Sequence, residues 1–203
     1  MVSTEPHLVP KLTRGSLLER LRERCDHASW EEFFDQYWQL IYHVARRAGL
    51  SEADAEDCVQ ETVLEVVDSL PGFERERPGS FRAWLCKVTR TQVAMFYRKQ
   101  ERQRKREAAA EELWLHPENG SGTDWDTIWD EEWQRNLLQA ALERVKRQVS
   151  PRQFQIFQCH VLEDWSVREV ARHLDVSAGM VYVTKHRVNS ALKRELQILM
   201  EDM

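Results

Sequence analysis

The sequence predicts an all-α chain of two helical domains joined by an acidic linker, with a helix-turn-helix inside the second domain. Three observations predict it. Apolar residues recur every three or four positions wherever a pattern is visible, and only 7 glycines and 6 prolines punctuate the 203 residues. Charge is segregated: Arg82, Lys87, Arg90, Arg98, Lys99, Arg102, Arg104, Lys105 and Arg106 stand against Glu101 alone. The acidic residues Glu107, Glu111, Glu112, Glu118, Asp124, Asp126, Asp130, Glu131 and Glu132 follow, with no Lys or Arg among them. Finally, Ser166 to Leu192 has the spacing of a short helix, a tight corner and a basic second helix.

The elements follow in order. Leu17, Leu18, Leu21 and Cys25 outline a short amphipathic helix. Ser29 and Glu32 have capping-box spacing and open a helix lined by Phe33, Phe34, Tyr37, Trp38, Ile41, Val44, Ala45 and Ala48, which Gly49 ends. Ser51 starts another, with Ala55, Cys58, Val59, Thr62, Val63, Val66, Val67 and Leu70 inward. Asp54, Asp57, Gln60, Glu61, Glu65 and Asp68 take its outer face, and Pro71-Gly72 stops it. Beyond the loop from Phe73 to Pro78, Ser80 is a candidate cap for a long helix from Phe81 toward Arg106. Its inner stripe is Phe81, Trp84, Leu85, Val88, Val93 and Phe96. Together these helices make a first domain over residues 12–106.

The turn-rich stretch Pro117 to Gly122 marks a linker over residues 107–125, and the second domain spans residues 126–199. Asp124 or Asp126 can cap a helix carrying Trp129, Trp133, Leu137, Leu138, Ala141, Leu142 and Val145. Pro151 opens the next, with Phe154, Ile156, Phe157, Val161 and Leu162. Ser166 and Glu169 form a capping box, so a helix begins at Val167, with Val170, Ala171 and Leu174 in its stripe; Ala171 is small enough for a second helix to cross closely. Asp175 and Val176 make the corner. Ser177 caps the final helix, whose stripe of Val181, Val188 and Leu192 leaves Tyr182, Val183, Lys185, His186 and Arg187 outside it. From this window two readings stay open: a DNA reader, or two surface helices of a bundle.

Composition narrows the classes. The formal net charge of −5 argues against a nucleic-acid partner on average, yet the basic block overrides that average locally. Cys25, Cys58, Cys86 and Cys159 are widely spaced, without a C-x-x-C pair or zinc spacing, and read as reduced structural thiols; Cys58 and Cys86 form a weak candidate redox pair. No apolar run has signal-peptide or membrane-spanning length, which points to the cytoplasm. Among 7 histidines, His160 with Glu163 and His173 with Glu169 are isolated pairs, and no phosphate loop or nucleophile motif accompanies them. Neither enzymatic catalysis, a cofactor nor a metal is expected.

Three segments in series carry a resemblance: DAEDCVQETVLEV (Asp54 to Val66), GSFRAWLCKVTRTQ (Gly79 to Gln92), and the stretch from Ser150 to Leu196. The chain resembles bacterial RNA polymerase sigma factors of the extracytoplasmic-function class, from about Thr13 to Leu196. The resemblance implies a subunit that binds core RNA polymerase and directs initiation at promoters by recognising their minus-ten and minus-thirty-five elements. It is expected to be monomeric when free, with an anti-sigma factor as a further candidate partner. Asp54, Asp57, Gln60 and Glu61 would meet core polymerase, offering carboxylates to Arg and Lys of a partner helix. Phe73 with its loop, Trp84, and the cations Arg82, Lys87, Arg90, Arg98 and Lys99 would hold melted minus-ten DNA; Trp84 also sits in the inner stripe, as a core residue would. Ser177, Ala178, Gly179, Met180, Tyr182, Val183, Lys185, His186 and Arg187 would lie over the minus-thirty-five element, with Arg168 and Arg172 on phosphates.

Two positions depart from the family's pattern. Asp175 stands where a corner glycine is usual, and Lys185 where leucine is usual, so either its stem packs inward or the helix is rotated. The acidic linker has two readings: it threads past the polymerase active centre, or Trp114, Trp125, Trp129 and Trp133 clamp the two domains together in the free protein. A stand-alone dimeric helix-turn-helix regulator is the alternative function.

Overall fold

A computed structural model describes residues 14–22, 26–74, 79–108 and 125–201, and all regular structure among them is helical. Three helices form the body of the first unit: α2 (His27–Arg47), α3 (Glu52–Ser69) and α4 (Ser80–Ala108), with the short α1 (Arg14–Leu21) laid on α2. The second unit holds α5 (Trp125–Gln148), α6 (Pro151–Phe157), α7 (Val167–His173) and α8 (Ala178–Glu201).

Helix starts show where local chemistry decides. Asp26, not Ser29, caps α2: its carboxylate accepts from the Ser29 amide at 3.2 Å, and Ser29 is buried within the first turn. The expected Ser29/Glu32 box gives way because an acidic cap stands three residues earlier, while Glu32 pairs instead with Arg20 at 2.7 Å. Ser51 caps α3 through the Asp54 amide, as the sequence predicts. Ser80 is the first residue of α4 rather than its cap. Gly79, at a φ of +83°, makes the corner and its carbonyl accepts from Ala83, leaving the Ser80 hydroxyl without a partner. Asp126 likewise lies inside the first turn of α5, and Asp124 falls outside the described residues.

At the end of α2, Gly49 has a φ of +103°, and a methyl group there would stand 2.8 Å from the Tyr97 hydroxyl, which donates to the Ala48 carbonyl. Gly49 therefore lets α4 close against the end of α2. Ser150 forms a full capping box with Gln153, as the Ser-Pro-Arg-Gln spacing allows. After α6 the chain widens into a π-helical segment, Gln158–Leu162. That wider turn carries Leu162 outward to 51% exposure, against its place in the predicted stripe. Leu138, also expected inside, is 43% exposed because Leu137 takes the inward position on α5.

The largest apolar cluster does not stop at the boundary between the units. It contains Leu17, Phe33, Tyr37, Ile41, Val66, Phe81 and Leu85 together with Ile128, Trp129, Trp133, Leu137, Ala141 and Leu199. Burying each of its Leu, Ile, Val and Phe side chains contributes about 1.5–3 kcal/mol relative to exposure. Two smaller clusters hold the helix-turn-helix: one of Ile156, Cys159, Val170, Leu174 and Val181, and one of Val145, Phe157 and Val188.

Candidate nucleic-acid interface

The helix-turn-helix is assembled from its own sequence. Ser166 accepts from the Glu169 amide while Glu169 accepts from the Ser166 amide at 2.8 Å, fixing the start of α7. Hydrogen bonds from Ser166 hold the Glu169 carboxyl below the usual carboxylate range. Asp175 makes the corner in the left-handed region at a φ of +48°, doing with an acidic side chain what glycine does more freely. Ser177 then accepts from the Met180 amide at 3.1 Å and opens α8.

Val181, Thr184 and Val188 turn α8 toward α6 and α7, so the opposite face is free. On that face Met180 is 49% exposed and Tyr182 and Val183 are each 60% exposed; Ser177, Ala178, Gly179, His186 and Arg187 are exposed beside them. Lys185 is half-buried, which fits a packed stem with its ammonium emerging. Arg168 and Arg172 are exposed on α7. His173 and His160 both serve Trp165: His173 meets its ring edge-on at 5.2 Å, and His160 Nδ1 lies 2.8 Å from its carbonyl oxygen. Among the described residues no three His, Cys, Asp or Glu side chains gather to hold a metal ion.

The first unit presents a different picture. Phe73, Phe81 and Trp84 form one aromatic group, with Phe73 and Trp84 centroids 5.1 Å apart and Phe81 and Trp84 5.6 Å apart; Trp84 is partly buried. Lys87, Arg98 and Lys99 are exposed along α4, with the Lys99 ammonium over the Phe96 ring at 5.9 Å. Arg82 and Arg90 both meet α5, Arg82 half-exposed and Arg90 exposed. Arg82 pairs with Asp130 and lies 5.7 Å over Trp133, while Arg90 lies 5.9 Å over Trp125. Residues 75–78 of the predicted loop lie outside the described residues, as do Cys25 and Trp114.

On α3, Asp57, Gln60 and Glu61 are exposed on one face. Asp54 departs from the fully solvated face predicted for it: its carboxylate accepts from the Ser51 hydroxyl at 2.6 Å and from Gln100 Nε2 at 2.9 Å, tying α3 to α4. Cys58 is buried beneath that face, and burial pushes its thiol up to about 11. Cys86 instead accepts from the Trp125 indole at 3.3 Å.

Residues 33–103 match the family described as Sigma-70 region 2, and residues 139–192 match Sigma-70, region 4. The chain belongs to the extracytoplasmic-function sigma factors. It is 29% identical over 183 residues to the ECF RNA polymerase sigma factor SigE of Mycolicibacterium smegmatis (strain ATCC 700084 / mc(2)155), covering 89% of this chain and 66% of that protein. It is 24% identical over 184 residues to the ECF RNA polymerase sigma factor SigX of Bacillus subtilis (strain 168), covering 86% of this chain and 87% of that one. Among solved structures, CnrH in complex with the cytosolic domain of CnrY aligns with a TM-score of 0.38 and 17% identity, over 92% of this chain and 98% of that chain. Region 2 thus takes in α2, α3 and α4, and region 4 takes in the end of α5 through the stripe of α8. The first turns of this sigma factor's α5 lie between the two matched segments.

Arg47 is the residue that sequence reasoning missed. It sits outside every motif, yet it pairs with Glu131 at 2.7 Å and Glu132 at 3.0 Å across the units, and those carboxylates hold its guanidinium more firmly protonated. Glu132 is buried and also receives Arg135 at 2.8 Å. Only the acidic run on α5 hinted at a cationic partner.

Proposed function

We propose that this chain binds core RNA polymerase and directs it to promoters, with region 4 reading the minus-thirty-five element through α8 and region 2 capturing the minus-ten element as it melts. The observation that carries this reading is the exposed face of α8: Met180, Tyr182, Val183, His186 and Arg187 stand outward from a capped helix-turn-helix inside the segment matching region 4. A major groove admits one such helix, and an Arg to guanine contact there discriminates bases by about 1–3 kcal/mol. Arg168 and Arg172 would fix register on phosphates.

In region 2, Lys87, Arg98 and Lys99 would track the strand, joined by Arg82 and Arg90, while the aromatic group of Phe73, Phe81 and Trp84 supplies apolar surface near unstacked bases. Asp57, Gln60 and Glu61 would meet cationic residues of the polymerase, with Asp54 ordering the helix from its Gln100 bond. In this role the polymerase supplies the catalysis and the chain supplies specificity, as a cytoplasmic monomer until it binds. No helix among the described residues is long and apolar enough to cross a membrane.

The test is transcription by sigma-free core polymerase on genomic promoters, with start sites mapped with and without the chain. Discrete new starts sharing two spaced upstream elements are the expected result. Binding of operator DNA by a dimer of the chain, with no new starts, would move the assignment to a stand-alone regulator.

A further inference from the structure

The first three turns of α5 lie against the face of region 2 that holds two of the proposed minus-ten cations, Arg82, which is half-exposed, and Arg90, which is exposed beside Trp125. Trp133 stacks on Tyr37 at 6.1 Å and on Trp129 at 5.7 Å, and both indoles are 3% exposed. Around this apolar contact run polar ones with a consistent sign. Asp130 pairs with Arg82, Glu131 and Glu132 pair with Arg47, and Trp125 lies under Arg90. Every cation in these contacts belongs to region 2 and every carboxylate to α5. Asp130 holds Arg82 as a phosphate oxygen would, and the Trp133 and Trp125 rings face guanidinium groups as a base can.

We propose that the segment Trp125–Trp133 is an intramolecular stand-in for promoter DNA, an acidic and aromatic cover that must leave Arg82 and Arg90 before region 2 can take a melted strand. The inference rests on the minus-ten role given to those arginines. The cover obstructs region 2 of the free chain at these two arginines and leaves Lys87, Arg98, Lys99 and the helix-turn-helix face open, so a melted strand is held fully only once polymerase separates the two regions. The carboxylates set where the cover sits, since ion pairs this exposed contribute little energy, while Trp129 and Trp133 supply the adhesion. The helix-turn-helix face lies outside the cover, so the two DNA surfaces are regulated unequally.

The experiment uses the full chain and a fluorescent single-stranded oligonucleotide of random sequence, with small-angle scattering on the same samples. Asp130→Asn with Glu131→Gln removes two charges at the cover, and Glu56→Gln with Glu143→Gln removes two from exposed positions outside that segment as a charge-matched control. A Trp133→Ala chain removes the apolar contact. The expected result is a compact wild-type chain, at least threefold tighter oligonucleotide binding by the cover variant than by the control, and a larger radius of gyration for Trp133→Ala. Equal binding by cover and control variants, absence of binding by all of them, or an already extended wild-type chain overturns the proposal. Transcription with core polymerase is run in parallel. A wild type that yields no promoter starts strikes the sigma function, whereas gained binding and expansion in the variants speak to the cover regardless of that result.

Discussion

Tyr182 and Val183 on α8 are each 60% exposed, whereas Arg82 on α4 is held by Asp130 and lies against Trp133. Both are proposed to meet DNA, yet one surface is open and the other is in contact with α5. The difference comes from how each is built. The caps Ser166 and Ser177, the corner Asp175 and the stripe of Val181 and Val188 of the helix-turn-helix lie within a short stretch, and that stripe packs on Val145, Ile156 and Phe157 of the helices just before it. The region 2 surface is defined by what crosses to it from α5, 48 residues beyond Arg82 in the case of Asp130. Local chemistry makes an open surface, and a distant segment decides whether the other is open.

Changes at the shared core cut deepest into this contrast. Trp133→Ala removes a large side chain from the cluster joining the units and is expected to cost about 3–5 kcal/mol in urea denaturation, with the region 4 caps intact. A loss near zero would mean that α5 does not bind the two units together. Next come the arginines themselves. Arg187→Ala is expected to weaken minus-thirty-five DNA binding by about 1–3 kcal/mol both in the free chain and in the polymerase complex. Arg82→Ala should do little to DNA binding by the free chain, because Asp130 already holds that guanidinium, and should lower promoter melting once polymerase is present. Equal losses for Arg82→Ala in both settings would erase the distinction between the surfaces.

The smallest effect is expected at the caps. Ser166→Ala should cost about 1 kcal/mol in thermal or urea melting. Its pH dependence follows from Glu169, whose carboxyl is held low in the folded chain. That contribution is fully present above the ordinary carboxylate pKa and is lost as pH falls through the depressed folded value. Acid titration of wild type and variant should therefore show less acid-side destabilisation in Ser166→Ala, and parallel curves would remove the assigned cause.

Much of this was legible in the sequence, for reasons that particular residues make plain. Ser51, Ser166, Asp175 and Ser177 act within three or four residues of themselves, so their roles could be read directly. Periodicity also showed that Trp129 and Trp133 share an apolar face, but a stripe does not name what it meets, and here it meets Tyr37. Asp26 displaced the predicted Ser29 cap because two good caps competed and tertiary pairing of Glu32 with Arg20 settled the choice. Leu162 was misplaced because a π-helical turn breaks the period on which the stripe was counted.

Helix α8 is unbroken from Ala178 to Glu201, and its far end places Leu199 in the cluster that also contains Leu17 and Tyr37. Its 24 residues span roughly 36 Å between an end sunk in the junction of the units and the exposed tip proposed to read bases. A tilt of about 10° at the sunken end would carry the tip about 6 Å, close to two base-pair steps at roughly 3.4 Å each. Because Val181 and Val188 fix α8 to the rest of region 4, such a tilt would carry region 4 as a body, and under the proposed promoter contacts the spacing accepted between the two elements would depend on how firmly the junction holds Leu199.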